Sequence, residues 1–260
     1  MSLAGKSLCV LTPMYNSQLF MNYHESLMEL VSLAGRSGMK SFSYVNVATS
    51  PIAFSRNILT QKFLETDCTH ALFVDADMGF DPRDVLTMLE LDRDVIGGCC
   101  PVKIVLWNRL QQVCRRGGRE YTVEELQALG GTYNYERPIE AKLRLDKPQE
   151  VERLGFGMVM VKREVFEKLR LAHPDNWYHS RDRNGTPLFG GGQVHEFFRA
   201  GLTSEHEHLS EDYTFCNDCR AAGFKIWMCP WTKTTHMGVH IYVGDFLAMA
   251  RLCSESGRGG

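Results

Sequence analysis

The 260-residue sequence lacks any apolar run close to the roughly 20 residues that a membrane-spanning helix needs. It also lacks an excess of charge, since 29 basic and 31 acidic residues leave a formal net charge of -2. We therefore expect no membrane span, and neither nucleic acid nor an anionic membrane as the main partner. The first residues lack the apolar core of a signal peptide, so a cytoplasmic location is expected.

Several chemical motifs are absent as well. No glycine-rich loop precedes a Lys-Ser or Lys-Thr pair, which argues against a P-loop kinase or ATPase. No nucleophile elbow of a hydrolase is present. Cys216 and Cys219 have the spacing of half a zinc knuckle, but no second pair accompanies them. The nine cysteines are an odd number, and several lie in predicted strands or helices, which favours reduced packing thiols over a disulfide framework.

Strands and helices alternate through the first 100 residues. Predicted strands near 7–11, 42–47, 71–74 and 95–96 are separated by helical segments, a pattern typical of a mostly parallel sheet with helices on both faces. The chain beyond residue 100 is less regular, but it contains no repeat and no low-complexity linker. We predict an α/β fold in a single compact domain, residues 1–253, followed by a disordered tail, residues 254–260.

The segment from His70 to Pro82 carries the clearest chemical signal. Its apolar run, 71–74, predicts a strand buried on both faces, and Asp75 and Asp77 follow directly. Alternate side chains of an extended segment share a face, so the two carboxylates can hold one hard cation, Mg²⁺ or Mn²⁺. A solvated turn is the plainer alternative, but two charges at the end of a buried strand favour a functional role. Asp81 before Pro82 is explained by the start of a helix alone, with Asp81 as the N-cap.

Two acidic residues late in the chain have two possible roles. Glu211 and Asp212 fall in the first turn of a predicted helix, where the helix dipole alone explains acidic residues. A second role arises only if they lie beside Asp75, Asp77 and His236. A pair of metal-binding carboxylates, a further carboxylate and a histidine are the components of metal-assisted group transfer.

Taken in order, these motifs resemble those of the GT-A-fold glycosyltransferases, and most closely those of the family-2-like group. The resemblance rests on five segments: Thr12-Pro13-Met14-Tyr15-Asn16, Ser55-Arg56-Asn57, Asp75-Ala76-Asp77, Glu211-Asp212 and His236. It extends from about Ser7 to about His240, with an insertion at 107–138 that matches nothing. An Asp-X-Asp motif alone is weak, whereas the ordered set is specific.

The resemblance implies a sugar transfer from a nucleotide-diphosphate sugar, such as a UDP- or GDP-sugar, to a hydroxyl of a glycan or another acceptor. Residues 1–100 would form the nucleotide-binding half and residues 101–253 the acceptor-binding half. The implied donor contacts are Thr12, Pro13, Tyr15, Arg56, Asp75, Ala76 and Asp77. Asp75, Asp77 and His236 would hold Mn²⁺ or Mg²⁺, Asp212 would be the general base of an inverting enzyme, and Glu211 would orient the acceptor.

Two other functions stay open from the sequence. A nucleotidyltransferase that makes nucleotide sugars shares the fold, although such enzymes usually carry a glycine-rich basic loop after the first strand. A non-catalytic nucleotide-sugar-binding module is the other alternative, and it would have no need of Asp212. Substitution of Asp212 therefore separates an enzyme from a binding module.

Overall fold

The computed structural model of the protein describes residues 3–137, 144–181, 184–188, 192–240, 245–248 and 251. The predicted disordered tail, 254–260, lies outside these residues.

The N-terminal part alternates strands and helices as predicted. Its elements are β1 (Ser7–Met14), α1 (Met21–Ala34), β2 (Ser41–Ala48), α2 (Ile52–Leu64), β3 (His70–Val74), β4 (Met78–Phe80), α3 (Pro82–Leu91) and β5 (Val95–Gly98). Helix α3 begins as its sequence predicts, because the Asp81 side chain accepts a hydrogen bond from the Arg83 backbone N–H and Pro82 takes the first helical position.

The C-terminal part contains shorter elements. They are α4 (Trp107–Gly117), α5 (Val123–Gly130), β6 (Tyr135–Glu136), β7 (Gln149–Val151), β8 (Arg153–Leu154), β9 (Met158–Lys162), α6 (Arg163–Ala172), β10 (Trp177–His179), β11 (Gln193–His195), β12 (Gly201–Leu202), β13 (His208–Leu209), α7 (Glu211–Ala221), β14 (Ile226–Cys229) and β15 (Thr234–His236).

Seven of these strands form the central sheet, in the order β2-β1-β3-β9-β5-β14-β7. Strand β1 is parallel to β2 and β3, and β14 is parallel to β5. Strand β9 lies antiparallel between β3 and β5, so these two strands point the same way. Strand β7 pairs antiparallel with β14 at the edge. The sheet is therefore mostly parallel and flanked by helices, which confirms the predicted α/β fold class.

Both faces of the sheet are covered, as the apolar run of β3 predicts. Its alternate residues enter two separate cores: Ala71 and Phe73 belong to one, Leu72 and Val74 to the other, and all four are fully buried. In the first core the ring of Phe198 stacks on Phe215 of α7 at 4.6 Å between centroids. This aromatic packing fixes α7 against the sheet and thereby positions the acidic residues of its first turn.

No helix in the described part of the chain combines the length and the apolar character that crossing a bilayer requires.

Candidate active site

A cleft of about 570 Å³ opens at the carboxyl ends of β1 and β3, where ligands bind in open α/β sheets. Six of the predicted site residues line it: Pro13, Tyr15, Asp75, Ala76, Asp77 and His236. Thr12 lies beneath the cleft instead, fully buried, with its hydroxyl hydrogen-bonded to that of Tyr23. Arg56 is also buried and reaches the site through Asp75.

Strand pairing brings His236 to the Asp-X-Asp motif. Strand β15 pairs antiparallel with β4 so that His236 lies opposite Met78. The backbone N–H of Met237 donates to the carbonyl of Asp77 at 2.9 Å and continues this ladder. The His236 Nε2 atom therefore stands 3.3 Å from a carboxylate oxygen of Asp77. Residues far apart in sequence thus meet at one edge of the cleft, as the motif order predicts.

The ring of His236 is oriented by a backbone carbonyl. Nδ1 lies 2.7 Å from the carbonyl oxygen of Pro101, which can only accept, so Nδ1 carries the proton and Nε2 faces Asp77. Burial lowers the pKa of His236, but the bonds to Asp77 and Pro101 outweigh it and raise the pKa above its ordinary value. Burial raises the pKa of Asp77, but hydrogen bonds from His236 and Lys103 outweigh it and lower that pKa.

The side chains around Asp77 supply part of a divalent cation site. Asp77 and His236 offer an oxygen and a nitrogen side by side, a combination that suits Mn²⁺. Asp75, in contrast, directs one oxygen to Arg56, 3.1 Å away. The Lys103 ammonium contacts the second oxygen of Asp77. Within the described ranges no three His, Cys, Asp or Glu side chains surround one metal position. Asp77 and His236 therefore offer two ligands for a metal, whose remaining ligands would come from water or a phosphate.

A buried arginine joins the Asp-X-Asp motif to the acidic residues of α7. Arg56 projects from α2 and is 2% exposed. Its Nη2 donates to Asp75, while its Nη1 donates to Glu211 at 2.7 Å and also to Asp212. Ser210 caps α7 by accepting from the Tyr213 N–H, which holds both acidic residues in the first helical turn. One guanidinium thus binds three carboxylates from two separate segments.

The Gly155-Phe156-Gly157 turn connects the same groups through the backbone. The Phe156 N–H donates to the second oxygen of Asp212 at 3.1 Å, and the carbonyl of Gly157 accepts from the Asp75 N–H at 3.2 Å. A side chain at Gly157 would come within 3.0 Å of Cys100, so the close approach requires glycine. The orientation of Asp212 is therefore set by both of its oxygens.

In this acidic cluster, burial and the charge of Asp212 raise the carboxyl pKa values of Glu211 and Asp75, whereas Arg56 lowers them. Burial, together with the charge of Asp212, raises the pKa of Glu211 against the opposing effect of Arg56. Burial also raises the pKa of Asp75, again against Arg56. The three carboxylates outweigh burial at Arg56 and raise its pKa. One arginine cannot neutralise three carboxylates, so Glu211 and Asp75 take up a proton more readily than isolated carboxyl groups do.

Sequence reasoning missed two contributors and the carboxylate contacts of a third residue. Lys103 comes from an irregular segment without any motif, and nothing in the sequence indicates its contact with Asp77. The backbone N–H of Phe156 carries no side-chain signal, although the two glycines around it indicate a close approach. For Arg56, which was predicted near the nucleotide, the structure shows contacts to the carboxylates of Asp75, Glu211 and Asp212.

Comparisons with known proteins found distant structural similarities. No protein-family model matches the sequence, and no curated protein matches it either. Among solved structures, A197 from STIV is 16% identical, with a TM-score of 0.45 and coverage of 90% of this chain and 86% of that one. A glycosyltransferase involved in the glycosylation of the major capsid of PBCV-1 is 11% identical, with a TM-score of 0.33 and coverage of 65% and 67%. A protein from Desulfovibrio desulfuricans G20 described as a nucleotide-diphospho-sugar transferase is 10% identical, with a TM-score of 0.27 and coverage of 38% and 59%. These likenesses are too remote to transfer the role of any residue.

Proposed function

We propose that the protein is a metal-dependent, inverting glycosyltransferase that moves a sugar from a nucleotide-diphosphate sugar to an acceptor hydroxyl. One observation carries the proposal. The Arg56 guanidinium binds both Asp75, which lines the cleft, and Asp212 of α7. The candidate metal-binding motif and the candidate base are therefore held by one buried side chain, and we infer that both act on one substrate, as a single-step displacement requires.

The donor is proposed to lie in the cleft with its diphosphate near Asp77. Pro13 and the exposed Tyr15 line the same cleft and offer an apolar surface for a base. Lys103, Asp77 and His236 surround the position assigned to the diphosphate, where Asp77 and His236 would hold Mn²⁺ or Mg²⁺. When bound, the metal supplies positive charge that offsets the negative charge developing on the leaving diphosphate.

Asp212 is the proposed general base. Arg56 and the Phe156 N–H each occupy one of its oxygens, and each carboxylate oxygen keeps a further lone pair. As the acceptor oxygen bonds to the anomeric carbon, its proton passes to Asp212 and the bond to the diphosphate oxygen breaks. Glu211 also binds Arg56, and burial together with the charge of Asp212 raises its pKa. Its proposed role is to orient the acceptor.

The test is the pair of isosteric variants Asp212→Asn and Glu211→Gln. Asp212→Asn should reduce transfer by roughly 10²- to 10⁴-fold, the usual contribution of a general base. Binding of a nucleoside diphosphate with Mn²⁺, followed by thermal shift, should persist, since Asp212 lies outside the donor cleft lining. Glu211→Gln serves as the matched control and should lose less activity.

A folded Asp212→Asn protein with full transfer activity would refute the assignment of the base. A wild-type protein that binds nucleotide sugars but transfers none of them to carbohydrate or other hydroxyl acceptors would instead support a binding module. Screening UDP- and GDP-sugars by thermal shift with and without Mn²⁺ selects the donor before the activity assay.

A further inference from the structure

The insertion that matched no motif folds into a helical hairpin, α4 and α5, whose apolar side chains are left uncovered. The described side chains of α4 include none that is buried, and Leu110 and Val113 are only half-buried. Three large apolar side chains at the base of the hairpin are strongly exposed: Ile104 at 56%, Val105 at 44% and Trp107 at 66%. Isolated exposed apolar residues are ordinary, but a contiguous group marks an interaction surface.

Helix α4 is amphipathic in a specific way. Trp107, Leu110 and Cys114 follow the helical spacing, and Val113 lies beside them, so they form one apolar stripe. Together with Leu126 of α5, three of them border a groove of about 450 Å³. The opposite face carries polar side chains. A helix of this kind normally buries its stripe, whereas among the described elements this one packs mainly against the short α5.

The charges of α4 are all positive. The helix contains Arg109, Arg115 and Arg116 and no acidic residue. Arg109 and Arg116 are four and three positions from Val113, and therefore lie along the edge of the apolar stripe. For Arg115 and Arg116 the described part of the structure shows no salt bridge, whereas the neighbouring Arg119 is paired with Glu125. Helix α4 is thus positive although the whole chain has a net charge of -2 and Glu120, Glu124 and Glu125 follow in the second half of the hairpin.

The hairpin is held in a defined place. The Val102 N–H donates to the Thr132 carbonyl and the Leu106 N–H to the Gly130 carbonyl, both at 2.8 Å. A bridge between Pro101 and Tyr133 closes the base of the hairpin. Because both ends of the insertion are tied, the exposure of Ile104, Val105 and Trp107 belongs to a structured surface.

We propose that this hairpin binds the surface of an anionic lipid bilayer, with α4 lying in the interface and the chain remaining on one side. An exposed tryptophan, an apolar stripe and arginines beside that stripe match the two layers of such a surface, the acyl boundary and the negative headgroups. Eleven helical residues are too few to span a bilayer, in agreement with a helix that lies flat. Charge complementarity favours this occupant, because the arginines of α4 have no acidic residue on their own helix and would face anionic headgroups.

The hairpin begins next to the cleft. Lys103, whose ammonium contacts Asp77, immediately precedes the exposed Ile104. A bilayer bound at Ile104, Val105 and Trp107 would therefore lie next to the rim of the cleft. This inference does not depend on the proposed function, since it is tested by binding and not by turnover.

The test is co-sedimentation of the full-length protein with vesicles. Wild type should sediment with vesicles of phosphatidylcholine and phosphatidylglycerol, sediment weakly with phosphatidylcholine alone, and be released by high salt. The double variant Arg115→Gln/Arg116→Gln should bind about 30-fold more weakly, since each arginine near an anionic surface contributes about fivefold. Trp107→Ala should weaken binding by at least roughly tenfold through lost apolar burial.

Matched controls are the double variant Arg36→Gln/Lys40→Gln, which removes two exposed cations after α1, and Trp177→Ala, which removes another exposed tryptophan. Both should bind like wild type. Failure of wild type to bind anionic vesicles, or equal losses in the control variants, would overturn the proposal. So would concentration-dependent dimerisation that Trp107→Ala abolishes, since the surface would then be an interface between copies.

A second measurement needs no destabilised variant. Brominated phosphatidylglycerol in the vesicles should quench the tryptophan fluorescence of wild type, because bromine quenches only rings that enter the acyl boundary. Most of the quenching should disappear in Trp107→Phe, which keeps an aromatic ring on the surface. Equal quenching in both proteins would contradict insertion of Trp107.

Discussion

Two groups of paired charges differ in burial: the acidic cluster of Arg56 with Asp75, Glu211 and Asp212, and the cleft rim formed by Asp77, His236 and Lys103. In the cluster, Arg56 is almost fully buried and its guanidinium binds three carboxylates held by a helix start, a strand end and a backbone N–H. At the rim, Asp77 shares its oxygens between His236 and Lys103, whose side chains are 22% and 41% exposed. The cluster cannot lose a partner without leaving a buried charge, whereas the rim can exchange partners with water or a ligand.

This difference in burial predicts different roles for the two groups. A buried charge network is strongly destabilised when one partner is removed, so its geometry is fixed before any ligand arrives. An exposed ion pair contributes little to stability and is readily displaced. We therefore expect the cluster to orient Asp212, and the rim to bind the variable part of the substrate.

The largest expected effect is a loss of stability on replacing Arg56, the cation of the cluster. Arg56→Met leaves Asp75, Glu211 and Asp212 without their cation and should lower the free energy of unfolding by about 3–5 kcal/mol, as for other broken buried ion networks. Urea denaturation measures it. Arg199→Met is the matched control, because Arg199 pairs with the single carboxylate of Asp218 in a more exposed setting and should cost about 1 kcal/mol or less. Equal losses of unfolding free energy in the two variants would show that the buried cluster stabilises the protein no more than the exposed pair does.

The second effect concerns the metal. Asp77→Asn keeps the shape of the side chain and removes its charge, so the gain in nucleoside diphosphate affinity on adding Mn²⁺ should fall by at least about 100-fold, the upper range for losing a supporting partner of a metal site. Calorimetric titration with and without Mn²⁺ measures the gain. Asp81→Asn is a suitable control, because Asp81 caps α3, pairs with Arg83 and does not line the cleft. A full metal-dependent gain in folded Asp77→Asn would remove Asp77 from the metal site.

A smaller effect of opposite sign is expected at Lys103. Its ammonium pairs with the Asp77 carboxylate and adds positive charge beside the proposed cation site, so Lys103→Gln should raise the affinity of the free protein for Mn²⁺ by about three- to tenfold through lost repulsion. Affinity for the nucleoside diphosphate without metal should fall, because a cation near the phosphates is lost. If both affinities drop, Lys103 supports the metal rather than competing with it.

The smallest effect is a pH dependence of stability. The pKa of His236 is raised in the folded protein, so its contribution to stability is complete below its unfolded pKa of about 6.5 and disappears as pH rises through the folded pKa. His236→Gln should therefore lower Tm relative to wild type at pH 6, and the gap should shrink by on the order of 1–3 °C toward pH 9. Thermal unfolding in the presence of a chelator measures this. A gap that widens with pH would reverse the sign of the assigned interaction.

Much of the fold was predictable because local patterns determine it. The apolar run 71–74 predicted a strand that the structure has at His70–Val74, and the strand predicted near 42–47 is observed at Ser41–Ala48. The meeting of Asp77 and His236 followed from motif order. The insertion of β9 between β3 and β5 did not, because an antiparallel neighbour leaves no mark in the sequence of a strand that is buried on both faces.

The contacts of Arg56 were not predictable for a similar reason. An arginine in a helix with alternating polar residues usually lies at the surface, and only tertiary packing places this one among three carboxylates. The donor, metal and base assignments of Thr12, Asp75, Asp212 and their neighbours stay predictions, as do the two halves at residues 1–100 and 101–253 and the cytoplasmic location.

The antiparallel strand β9 also has a consequence for how the chain is made. Strands β3 and β5 are both complete by residue 98, yet they do not touch each other in the sheet, since β9, residues 158–162, lies between them. During synthesis, about sixty residues must emerge before the gap is filled, and β5 has no sheet neighbour until β9 arrives, because its other partner, β14, comes later still. A ribosome-bound chain that ends near residue 130 should therefore expose an incomplete sheet edge to chaperones and proteases, and one that extends well beyond residue 229 should not.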